Sequence, residues 1–150
     1  KPEDYSSGYE YAIFLLGLRA RTEGEIRKKM TDRGFVPAVV TKVIAELFQK
    51  RYLDDASLAV SLVENFKKYK PYGFRKVQIK MMEKKIAQDI IAQVLSEHFT
   101  LEDEQVVAKR VVKNLDLKAI RDIKAKQKLM RSLVSKGFRG EVINRVIYGN

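Results

Sequence analysis

A chain of 150 residues that is 45% apolar holds enough hydrophobic material for one domain or a short array of small units, and its net charge of +11 points to a polyanionic or acidic partner. With no cysteine and one histidine it has no disulfide framework, thiol nucleophile or Cys/His zinc cluster. Its longest apolar run, Tyr11 to Leu18, falls well short of the roughly 20 residues a bilayer span needs, and no signal-peptide pattern precedes it, so a soluble, cytoplasmic protein with no membrane contact is expected.

In chain order the signals are helical, without convincing strand alternation. Residues 1–8 read as an N-terminal extension, followed by an apolar first helix. Thr22 and Glu25 fit a capping box, in which the hydroxyl and the carboxylate each take a free backbone N–H; that helix runs to Arg33 and stops at Gly34. Pro37 suits the first turn of the next helix, which ends near Lys50. Asp54 or Asp55 caps a helix through about Lys68, Pro71 and Gly73 divide it from its successor, and Thr100 with Asp103 caps another toward Asn114. The stretch from Asn114 to Lys124 either extends the following helix or forms a separate turn, and Gly137 ends that helix as Gly34 ends its counterpart.

The segment GEIRKKMTDRGFVPAVVTKVI, residues 24–44, aligns with QKLMRSLVSKGFRGEVINRVI, residues 127–147, at an offset of 103. A shift of 51 places Val77, Met81, Ile86, Ile90, Ile91, Val94 and Leu95 on the same apolar positions, with Lys85 in place of glycine. The reading is an all-α, elongated array of three tandem three-helix repeats, at 9–53, 54–99 and 100–150, stacked so that one continuous apolar seam is buried. Gly34, Phe35, Gly137 and Phe138 are scaffold on this reading, each Phe being a core plug after a turn glycine.

No catalytic residue, cofactor or metal is expected. His98 has no metal-type partner at helical spacing, Ser and Thr lack His or Cys partners, the acidic residues line charged faces, and there is no glycine-rich phosphate loop. The basic residues are the candidates. In KKYKPYGFRK, Lys67, Lys68 and Lys70 end one helix while Arg75 and Lys76 begin the next, so five cations crowd one corner. Lys76, Lys80 and Lys84 recur at helical spacing, and Arg121, Lys124, Lys128 and Arg131 form a second stripe. Like charges three or four apart repel by about 0.2–0.5 kcal/mol per pair, so such stripes call for an anionic partner. Tyr69 and Tyr72 are candidates for stacking on bases, with packing across the corner as the competing reading.

At this point the chain resembles a known family. RYLDDASLAVSLVENFKKYKPYGFRKVQIKMMEKKI, residues 51–86, is similar to the central repeat of the RecX regulators, with its YLDD..FA signature and following G..RI..EL..KGI pattern. AKQKLMRSLVSKGFRGEVINRVI is similar to their C-terminal repeat, and EIRKKMTDRGF to their first. Arg51 stands where the family has Gly, Leu58 where it commonly has Phe, and Lys85 where it has the Gly of KGI, which puts local turn geometry in question. The resemblance implies a non-enzymatic, monomeric regulator of recombination, DNA repair and the SOS response. Such a protein binds the filament of the RecA recombinase on DNA and hinders its growth, ATP hydrolysis and strand exchange. DNA alone is then bound weakly and without sequence preference. A direct DNA-binding protein and a helical-repeat scaffold for another acidic protein are the alternatives.

Overall fold

The computed structural model describes residues 1–113 and 122–149, and among these residues every regular element is an α-helix. In order they are α1 (Tyr5–Leu18), α2 (Glu23–Asp32), α3 (Pro37–Gln49), α4 (Asp55–Tyr69), α5 (Phe74–Glu83), α6 (Gln88–His98), α7 (Leu101–Val112), α8 (Ile123–Ser135) and α9 (Gly140–Tyr148). They group in threes, and within each group the third helix packs on both the first and the second. The Asn114–Lys124 boundary question falls mostly outside the described residues, although Asp122 caps α8 by accepting from Lys124 N. Helix α1 reaches back into the stretch expected as an extension because Asp4 caps it, taking the Ser6 amide and the Ser7 hydroxyl.

Local chemistry starts most helices. Both capping boxes form: the Thr22 and Thr100 hydroxyls accept from the amides of Glu25 and Asp103, whose carboxylates accept from the threonine amides in return. Pro37 opens α3, and Asp54 caps α4. The middle repeat declares itself in its turn. Gly34, Lys85 and Gly137 occupy φ values of 100°, 64° and 93°, and the next residue in each case, Phe35, Ile86 or Phe138, donates its amide five residues back, to Met30, Met81 or Leu133. This is the Schellman closure, which satisfies two carbonyls at a helix end. Lys85 and Arg51 (φ 60°) therefore adopt the left-handed turn that Gly34 and Gly137 supply elsewhere in this chain, at a cost of about 1–2 kcal/mol each.

The expected continuous seam is broken. Ala12, Leu15, Ile26, Met30, Val43, Leu47 and Leu53 form one core within the first repeat, while a second core runs unbroken from Ala59 to Ile147 through the second and third. Between the two lies a polar junction. The Thr22 hydroxyl donates to the Lys84 carbonyl at 2.6 Å, and Glu23 N donates to Asp55 at 3.0 Å. The other junction uses the same device with a tighter fit. Glu104 of α7, with no exposed surface, accepts from Phe74 N and Arg139 N at 2.9 Å and from Arg139 Nε at 2.6 Å. At both junctions a carboxylate from the leading helix of one repeat caps the second helix of the repeat before it.

Phe35 departs from its expected role as a buried plug. It is half-buried and stacks on Tyr11 at 6.0 Å, whereas Phe138 is buried. The reason is positional: the turn bearing Phe138 is covered by the preceding repeat through Gly73 and Lys76, while the Phe35 turn is met by Tyr11 of α1 and by the N-terminal segment, where Val36 N donates to the Pro2 carbonyl.

Candidate polyanion-binding face

The basic corner is built by proline. Lys70, preceding Pro71, is held extended at φ −118° and ψ 148°, which ends α4, and Gly73 opens α5. Arg110 of α7 clamps this bend, its guanidinium donating to the carbonyls of Lys67 and Lys70. Lys67 belongs to the scaffold of the corner: its ammonium donates to Glu64 at 3.0 Å and to the His98 carbonyl at 2.9 Å, and lies 3.6 Å from Asp103. Lys68, Lys70 and Arg75 are exposed and make no ion pair among the described residues.

The two tyrosines separate. Tyr72 is half-buried against Phe66, ring centroids 5.4 Å apart, with the ammonium groups of Lys76 and Lys80 at 5.5 and 5.8 Å from its centroid. It follows the packing reading and serves as an aromatic seat for two cations. Tyr69 is 72% exposed and is the corner's open aromatic face. Further along α5, Lys80 lies 3.7 Å from Glu83, and Lys84 gives its carbonyl to Thr22.

The second stripe lies on α8. Lys124, Lys128 and Arg131 are exposed there, while Leu133 is buried and Leu129 and Met130 pack on the second core. Arg121 lies outside the described residues. The two basic segments meet: Gly73 N donates to the Lys136 carbonyl and Arg75 N to the Gly137 carbonyl, both at 2.9 Å. A Cβ on Gly73 would lie 2.3 Å from Phe138 N, so the approach requires glycine.

This contact gathers the charge of the protein. Residues 67–85 hold eight basic and one acidic residue and residues 123–139 six basic and none acidic, so 36 residues carry +13; the other 114, with 16 basic and 18 acidic, carry −2. Ion pairs occur on both sides of this division: Lys67, Lys80 and Arg139 of the two segments pair with Glu64 and Asp103, Glu83 and Glu104, and in the first repeat Arg19, Arg27, Lys28 and Lys50 pair with Glu25, Glu23, Asp32 and Glu46.

The residues that hold this face in shape were not among the sequence candidates. Glu104, Arg110 and Arg139 act over separations of 30 to 43 residues. One signal was available: Glu104 shares a helical stripe with Val107, Ala108 and Val111, and a carboxylate on an apolar face needs a buried partner. Among the described residues no cluster of His, Cys, Asp or Glu is suited to a metal ion, and no helix is long and apolar enough to cross a membrane.

Comparison with known proteins agrees with this architecture. A family model described as "RecX, first three-helix domain" matches residues 9–47, and one described as "RecX, third three-helix domain" matches 103–147. Proteins named "Regulatory protein RecX" are similar throughout. That of Chlorobium limicola is 31% identical over 137 residues, covering 91% of this chain and 85% of its own. Those of Clostridium botulinum (strain Alaska E43 / Type E3) and Geobacillus thermodenitrificans are each 30% identical, covering 92% and 93% of this chain but 66% and 52% of theirs. The chain thus spans between about half and six-sevenths of these relatives' lengths. The fold matches the crystal structure of RecX from Lactobacillus salivarius with a TM-score of 0.87 at 21% identity, covering 97% of this chain and 95% of that one. A second crystal structure, of a regulatory protein RecX, gives 0.82 at 23% identity, covering 97% and 72%. The fold defines an all-α protein built from three-helix repeats. The chain belongs to the RecX family.

Proposed function

We propose that this protein regulates the RecA recombinase, binding the RecA–DNA filament through the joined basic segments and hindering filament growth, ATP hydrolysis and strand exchange without catalysing a reaction itself. The observation that carries this reading is the concentration of +13 in two segments held edge to edge, since a nucleoprotein filament offers acidic protein and DNA phosphate together. The protein acts as a cytoplasmic monomer, and DNA by itself is bound weakly, without sequence preference and with affinity that falls steeply as salt rises. The test is the ATPase of RecA filaments titrated with the protein. The wild-type chain lowers it, Lys124→Glu with Lys128→Glu and Lys76→Glu with Lys80→Glu lose most of that inhibition, and all of them melt within a few degrees of the parent. Full inhibition by both folded variants would move the binding face elsewhere; no effect of the wild-type chain at saturation would remove the reading.

A second reading, direct binding to single-stranded nucleic acid, is favoured by the exposure of Tyr69 beside Lys68 and Lys70. It requires tight binding to DNA without RecA, weakened by Tyr69→Ala.

A further inference from the structure

The second helices of the three repeats run end to end. Gly73 N and Arg75 N at the start of α5 donate to the Lys136 and Gly137 carbonyls at the end of α8, and Thr22 at the start of α2 donates its hydroxyl to the Lys84 carbonyl at the end of α5. Offsets of 51 and 103 place Lys28, Ile79 and Arg131 at one position on this line, and it is exposed in every repeat. The first and third repeats fill it with a cation, the second with an isoleucine that is 52% exposed. Met82, one turn further along α5, is 47% exposed, and neither side chain belongs to either core. The repeat itself does not call for an apolar side chain here, since Lys28 and Arg131 serve equally well in its sibling helices.

The surroundings of Ile79 and Met82 have the layout of a protein interface, an apolar centre inside a charged rim. Residues 74–85 hold five basic side chains, Arg75, Lys76, Lys80, Lys84 and Lys85, and one acidic one, Glu83, which lies 3.7 Å from Lys80. The ammonium groups of Lys76 and Lys80 are held over the Tyr72 ring, at 5.5 and 5.8 Å from its centroid, so these cations flank the apolar pair. The exposed line of α8 is different, with Lys124, Lys128 and Arg131 in succession. Val134 is exposed at the position equivalent to Met82, but one turn before it stands Arg131 where α5 has Ile79.

We infer that the basic face is divided by partner: α5 docks on protein, seating Ile79 and Met82 in an apolar pocket ringed by carboxylates, while α8 meets phosphate. This rests on the reading above and assigns the two helices to the protein and the DNA of one filament. Phosphate gains nothing from an aliphatic side chain, and unpaired bases stack on flat groups such as the exposed Tyr69 ring, which a branched isoleucine does not offer. The cationic rim selects acidic residues around the partner's pocket. It also argues against a second copy of this chain as occupant, because molecules of charge +11 would bring like-charged rims together.

The test measures binding of the labelled chain to RecA filaments on single-stranded DNA and, separately, to the same DNA bare, by fluorescence anisotropy at one salt concentration. Ile79→Lys, which copies Lys28 and Arg131, should move the two affinities in opposite directions: bare DNA is bound as tightly or more tightly, the filament at least about tenfold more weakly. Ile79→Gln with Met82→Gln should weaken filament binding as much and leave bare DNA within about twofold, in a helix whose propensity is kept. Lys124→Glu with Lys128→Glu should weaken binding to bare DNA at least about tenfold. All three variants should melt within a few degrees of the parent, since the substituted side chains are exposed. Tighter binding of Ile79→Lys to both targets, weaker binding of the glutamine variant to both, full filament binding by that variant, or bare-DNA binding unchanged by the α8 variant would each overturn the division while leaving regulation of RecA in place. A wild-type chain that binds filaments no better than bare DNA would remove the regulatory reading and the division with it.

Discussion

Asp54 and Asp55 are adjacent in the chain and titrate in opposite directions. Hydrogen bonds from the Ser57 amide and hydroxyl hold Asp54 below the usual carboxylate range, whereas burial pushes Asp55 above it despite the bond from Glu23 N. For Asp54 the folded pKa is depressed, so its stabilisation is present above the unfolded value and is lost as pH falls through the folded one. For Asp55 the sign reverses: the charged form is disfavoured by folding at neutral pH, and that cost is relieved as pH drops through its raised pKa. Carboxyl NMR titration should resolve the two on either side of the unfolded range. Asp55→Asn, which keeps an acceptor for Glu23 N and removes the charge, should leave stability at neutral pH unchanged or higher; Asp55→Ala should cost about 1–3 kcal/mol in urea melts. Glu104 is a different case, since its charge is matched by Arg139. Glu104→Ala strands two amides and a guanidinium, and should cost about 3–5 kcal/mol.

Docking between elements rests on glycines that face backbone. Gly73→Ala would press a methyl to within 2.5 Å of the Gly137–Phe138 backbone and should cost about 1–3 kcal/mol, while Gly140→Ala at the first position of α9 meets nothing and should be neutral or stabilising. Thermal melts of the pair give the comparison. Phe138→Ala should cost about 3–5 kcal/mol, and Phe35→Ala distinctly less, because only the former is enclosed by a preceding repeat. The same positional effect limits what the chain discloses before folding. Capping boxes, Pro37 and the glycine turns act within a few residues, and the apolar pattern carries each three-helix unit, so all-α repeats were legible. Whether a turn is covered, whether Tyr72 seats lysines, and where Arg110 and Glu104 find partners depend on which repeat stands next to which, and local spacing says nothing of that.

At the scale of the molecule, the described helices bury their apolar faces in two cores and not in one. Its cooperativity should be uneven. The second and third repeats share one core and a buried ion pair, whereas the first is joined to them through a hydroxyl and a carboxylate cap. Native-state hydrogen exchange should therefore show amides of α2 and α3 opening at a lower free energy than those of α6 and α9. A single exchange free energy across all four helices would contradict this division.

The gathering of charge at the contact between the second and third repeats has a kinetic consequence. Residues 1–53 hold ten basic and seven acidic side chains and carry +3, so the first repeat is a weakly charged arm attached to a more strongly positive body of +8. The centre of charge is displaced from the centre of friction, and in the field of a polyanion the molecule experiences a torque that turns its positive body forward before any contact is made. The rotational search that normally restrains protein association to about 10⁵–10⁷ M⁻¹s⁻¹ is shortened accordingly. Added salt should then slow the arrival of the protein at its target far more than it hastens departure.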